Sequence, residues 1–116
     1  MEVIEYYHKD DLCSKIYVDA KTEKVKVVNF TDFILDKAFG VIESPTYKDY
    51  EEFLEYRCFP KTRYNCRELL DALDIDFYNP YAICRKTHGI MFGDFYWLKF
   101  EGDTTTWEFV QDWLNA

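Results

Sequence analysis

The sequence predicts a single α+β domain, a small antiparallel sheet packed with about four short helices. Three observations carry that class. The first third alternates apolar and polar residues between short polar turns, the middle is helix-patterned, and the last third returns to a strand before a final helical stripe. With 116 residues, 48% hydrophobic and 20% aromatic, the stretch 1–116 holds enough apolar material for one core.

"EVIEYY" and "CSKIYVDA" flank "HKDD", a hairpin turn, and a second polar turn, "DAKTEK", leads into the β-branched "VKVVNF". These connectors are too short for a crossover helix, so a three-stranded antiparallel meander is expected. From Thr31 to Glu43 the pattern weakens, and "KAFGVIES" reads as an irregular connection with room for one further short strand.

The first helix opens at "SPTYKDYEEFLEYR", where Thr46 and Asp49 form a capping pair. Tyr50, Phe53, Leu54 and Arg57 share one face, and Glu51, Glu52 and Glu55 point elsewhere. Pro60 is expected to end this helix, and Thr62 or Asn65 to cap the next, "CRELLDAL". "NPYAICRKTHG" is a third, with Asn79 as its cap, Pro80 in its first turn and Gly89 at its stop. "DFYWLKF" sets Phe95, Trp97 and Lys99 against Tyr96, Leu98 and Phe100, a covered strand that joins the meander's sheet. The last helix is expected from a capping box of Thr105 and Glu108, with Trp107, Val110, Trp113 and Leu114 on one stripe.

Charge narrows the function classes. The net charge is −8, so a polyanion would mostly be repelled and direct nucleic-acid binding is not expected. The N-terminus has no basic region followed by a long apolar run, and no apolar stretch matches a membrane span, which points to a cytoplasmic protein. The imbalance is uneven: residues 57–88 carry a net +2, against −6 before them and −4 after. That segment supplies the candidate partner-binding cations Arg57, Lys61, Arg63, Arg67, Arg85 and Lys86. Surface pairing with neighbouring acids is the competing explanation for them.

Motifs for catalysis are missing from the sequence: there is no G-x-x-x-x-G-K-[ST], G-x-G-x-x-G or G-x-S-x-G. Cys13, Cys58, Cys66 and Cys84 include no C-x-x-C pair. Cys84 and His88 could share a helix face, but completing a zinc site with Cys58 and Cys66 gives irregular spacing. Buried reduced thiols are the expectation, with no catalysis, no metal and no cofactor.

"FLEYRCFPKTRYNCRELLDALDI", then "KTHGIMFGDFYWLKFEG" and a late "TWEFV", resembles a segment of HipA-like serine/threonine kinases of Gram-positive bacteria. The matching positions are Arg57, Cys58, Pro60, Thr62, Arg63 and Asn65, then Gly89, Met91, Asp94, Tyr96, Trp97 and Leu98, then Trp107. The likeness spans residues 53–109. Phe92-Gly93 and the ending "QDWLNA" depart from it. The sequence stops where the kinase lobes would begin, so the resemblance implies a small stand-alone, non-catalytic relative of the N-terminal segment. It would be a protein-interaction module, an antitoxin or regulator of a kinase-like toxin. Within it Pro60, Asn65, Gly89, Asp94, Tyr96 and Trp97 would be structural. Arg57 and Arg63, flanking the joint between two helices, are expected to tie it to Asp94 or to helix-end carbonyls. The alternative is a phage or mobile-element anti-defence protein, whose acidic surface mimics nucleic acid and blocks a nucleic-acid-binding effector.

Overall fold

The computed structural model describes residues 1–91 and 94–114, apart from the side chains of Trp113 and Leu114. Strands β1 (Glu2–His8), β2 (Asp11–Asp19) and β3 (Lys24–Asn29) form the meander, and β4 (Tyr96–Lys99) pairs antiparallel with the other edge of β1. The sheet order is therefore β3-β2-β1-β4. Alternation sends Ile4, Tyr6, Ile16, Val18 and Leu98 into the core. On the opposite face Glu5 stands across from Lys15 on one side and Lys99 on the other. A bulge breaks the period once: Tyr6 pairs with Ser14 and Tyr7 with Leu12, leaving Cys13 as the extra residue. This is why consecutive Cys13 and Ser14 are both buried.

The buried Ser14 hydroxyl donates to Asn29 Oδ1 at 2.7 Å and accepts the Ala38 amide at 3.1 Å, fastening the following connection to the sheet. The further strand expected between Thr31 and Glu43 does not form. Local bonds take those backbone groups instead: Phe33 N–H to Thr31 Oγ1, Asp36 N–H to Phe33 O and Lys37 N–H to Ile34 O close a single 3-10 turn, Ile34–Asp36.

Helix α1 (Tyr47–Tyr56) starts at the Thr46–Asp49 capping box, with bonds of 3.1 and 2.9 Å. It buries Tyr50, Phe53 and Leu54, and the Phe53 ring meets Tyr6 edge-on at 5.3 Å. The helix stops at Tyr56, earlier than Pro60 alone would require. Arg57 is its C-terminal cap, and two tight turns follow, Arg63 N–H to Pro60 O and Cys66 N–H to Arg63 O, both 3.0 Å.

Helix α2 (Cys66–Ala72) begins after Asn65, but the Asn65 side chain makes no capping bond. Its backbone lies in the bridge region (φ −102°, ψ 26°), whereas a capping side chain works from an extended backbone. Helix α3 (Pro80–Thr87) has the expected start, with Asn79 accepting the Ala82 amide and Pro80 in the first turn. It ends on left-handed His88 (φ 57°) and Gly89 (φ 61°).

Helix α4 (Trp107–Leu114) starts one residue later than the expected capping box: Val110 N–H bonds Thr106 O, while the Thr105 amide and hydroxyl both turn to Asp103. Val110 and Trp97 are both buried, outside the main core cluster. Of the stripe's other three side chains, Trp107 is half-buried, while Trp113 and Leu114 lie outside the described residues, as does the departure at 92–93. No helix among the described residues is long and apolar enough to cross a membrane.

Candidate interaction surface at the helix joint

Six cations stand out in the acidic sequence, and the fold treats them differently. Arg57 is 2% exposed. Its Nε donates to Gly89 O at 2.9 Å, and its two terminal nitrogens clasp the Asp94 carboxylate at 2.9 and 3.1 Å. One of them also reaches Tyr96 O at 2.9 Å. The guanidinium fork thus joins the end of α1 to the turn after α3 and to the start of β4. Helical spacing explains its position, since it falls on the face of Tyr50, Phe53 and Leu54.

The groups around Arg57 are fixed in turn. Asp94 Oδ1 also accepts the Tyr96 amide at 3.2 Å, and Leu98 N–H donates to His88 O at 2.7 Å. A Cβ on Gly89 would lie 2.9 Å from Leu98 Cδ1 and 3.0 Å from its Cγ, so both the positive φ and the close approach require glycine there. The Tyr96 hydroxyl bonds Asp36, and burial followed by that carboxylate pushes the phenol up to about 12. Trp97 Nε1 donates to Lys9 O at 2.8 Å and its ring stacks on Tyr7 at 4.7 Å. Gly89, Asp94, Tyr96 and Trp97 therefore all serve the packing. Pro60 only opens a turn, and Asn65 Oδ1 is buried with no hydrogen-bond partner among the described residues.

Arg67 and Arg85 are also engaged inside the chain. Arg67 bonds Asp71 one helical turn on and reaches Ile75 O and Asp76 O at 2.8 and 2.7 Å, tying the loop after α2 back to the helix's first turn. Arg85 contacts Glu2 at 3.3 Å and the Tyr81 hydroxyl at 3.2 Å, joining α3 to the first strand. Both spend donors inside the chain while staying exposed, unlike the buried Arg57. Lys61, Arg63 and Lys86 remain exposed, with no side-chain bond or ion pair among the described residues. The internal role expected of Arg63 is therefore not what the fold gives it.

Tyr64, next to Arg63, is 97% exposed and was singled out by no sequence pattern. It stands between two turn-closing residues, Arg63 and Cys66, whose turns the sequence alone does not mark. Beside this rim an apolar groove of about 500 Å³ runs between the joint, α2 and α3, lined by Phe59, Leu69, Leu73, Ile83, Ile90 and Met91 among others. The leucines read as core from spacing alone, and Leu69 and Leu73 are in fact half-buried.

Two thiols lie under the same joint. Cys58 and Cys84 are buried with their sulfurs 3.5 Å apart, and each contacts Leu54 O. Hydrogen bonding to Cys58, then burial, pushes the Cys84 thiol well above its ordinary value, so it is held protonated and unreactive. His88 faces Asp103 at 3.1 Å rather than the cysteines, and among the described residues no three metal-binding side chains gather at one point. Burial raises the Asp103 carboxyl, but the Thr105 hydroxyl and amide, His88 and a backbone hydrogen bond from Phe100 outweigh it and leave the group below its ordinary value.

With this geometry in view, comparison with protein-family models, with curated proteins and with solved structures finds no match.

Proposed function

We propose that this chain is a non-catalytic protein-interaction module, akin to the N-terminal segment of HipA-like kinases, that restrains a kinase-like partner. Its docking residues are the outer half of the α1–α2 joint: Lys61, Arg63 and Tyr64. The supporting observation is the near-complete exposure of Tyr64 beside an uncommitted arginine, on a joint whose inner half is fastened by Arg57. Tyrosine and arginine supply much of the energy in protein interfaces, and a loop fixed before binding loses less entropy on docking. Lys61 and Arg63, in the one stretch with a net positive charge, favour an acidic partner surface at this rim.

The test is cross-linking of the tagged chain in its native host, with the triple variant Lys61→Ala, Arg63→Ala, Tyr64→Ala alongside. A protein with a kinase fold should be cross-linked by the parent chain and lost with the variant. Recovery of no such protein, or equal recovery by both chains, contradicts the reading.

A second reading, the anti-defence one, has one observation in its favour: Glu51, Glu52 and Glu55 are all exposed along the outer face of α1. It requires a nucleic-acid-binding partner displaced by Glu51→Gln, Glu52→Gln, Glu55→Gln and untouched by the joint variant.

A further inference from the structure

The groove beside the joint differs from the other concavities in what lines it. A larger one, about 860 Å³, is walled partly by Glu2, Asp19, Lys21 and Glu51, a solvated and mixed surface. The joint groove, about 500 Å³, falls within the ~300–1,000 Å³ usual for small-ligand sites and has apolar walls. The chain has 22 acidic residues, yet none stands among the described lining residues of this groove. Two arginines do. Arg57 has its donors committed to Gly89, Asp94 and Tyr96, so only Arg63, exposed at the rim, has a guanidinium to offer.

We propose that this groove is a binding site for a medium-length aliphatic carboxylate. The chain would lie across Leu69, Leu73, Ile83, Ile90 and Met91, and the carboxylate would meet Arg63 at the rim. Charge complementarity selects the head group: the walls carry no anion to repel it, and a planar guanidinium fits a carboxylate with two parallel bonds. The adaptable Met91 thioether suits a flexible chain. The site shares Arg63 with the proposed docking residues, but Lys61 and Tyr64 are not among its lining residues, so the two readings can be tested separately.

Decanoate, kept below its micellar range, is the probe, and calorimetry of the full chain is the measurement. One saturable site is expected, weakening about fourfold for each methylene removed, as burial of a CH₂ predicts. Arg63→Gln should weaken decanoate about fivefold, the scale of one exposed ion pair, and decylammonium should bind more weakly than decanoate by at least that factor. Ala72→Trp, at an exposed α2 position on the groove wall, should abolish binding without loss of the fold, checked by circular dichroism. Tyr64→Ala should leave binding unchanged, so that failure here and failure of the partner reading are told apart. Absence of saturable binding, equal binding of decylammonium, or decanoate binding unaffected by Ala72→Trp overturns the proposal.

Discussion

Arg57 and Arg63 occupy the two ends of one short joint and live in opposite surroundings. Arg57 closes α1 on its apolar face, is 2% exposed and bonds two separate segments, the turn after α3 and the start of β4. Arg63 lies between two tight turns with its side chain in solvent. The difference teaches that a local excess of cations is not one feature. The inner arginine is a structural fastener, and the outer one is left for something outside the chain. The same division holds around them, with Cys58 packed inward against Cys84 and Tyr64 turned fully outward.

The comparison breaks most visibly on removal of the inner residue. Arg57→Ala leaves Asp94 and two backbone carbonyls without their donor, and should cost about 3–5 kcal/mol in urea denaturation. Arg57→Lys should recover little, since one ammonium cannot span those acceptors. Gly89→Ala should cost about 2 kcal/mol, combining a left-handed backbone with a Cβ pressed on Leu98. A loss below about 0.5 kcal/mol would show that the turn shifts freely, and with it the Arg57 anchor. Arg63→Ala should change stability by less than about 0.5 kcal/mol, as for other exposed positions.

The smallest effect is at the far side of the same turn. Asp103 is held below its ordinary value, so its contribution to stability is full above the unfolded carboxylate pKa of roughly 3.9 and fades as pH falls through the depressed folded one. Asp103→Asn should therefore be less stable than the parent at neutral pH, with the gap closing on acidification. A gap that widens with acid would contradict the assigned direction.

Much of this division was legible in the sequence, and particular residues show why some was not. The Thr46–Asp49 and Asn79–Pro80 helix starts were readable because both are settled within one turn of backbone. The strands of the meander followed from alternation, and Arg57 could be placed inward from its spacing to Phe53 and Leu54. Asn65 and Thr105 misled for a local reason: each had a competing backbone or side-chain arrangement, a non-extended φ/ψ in one and the Asp103 carboxylate in the other. The connection after β3 had apolar residues but no period, and its place was decided by a distant hydroxyl, that of Ser14. Arg63 and Tyr64 were unreadable because exposure at a turn depends on how α2 and α3 pack beside it.

The claim that Arg57 fastens the joint is tested most directly by a double-mutant cycle on Arg57 and Asp94. Equilibrium urea unfolding of Arg57→Ala, Asp94→Ala and the double variant gives the coupling between the two side chains. A coupling of about 2 kcal/mol or more is predicted for this bidentate, largely buried pair. A coupling below about 0.5 kcal/mol would mean that the guanidinium and the carboxylate act independently, and the inner half of the joint would need another explanation.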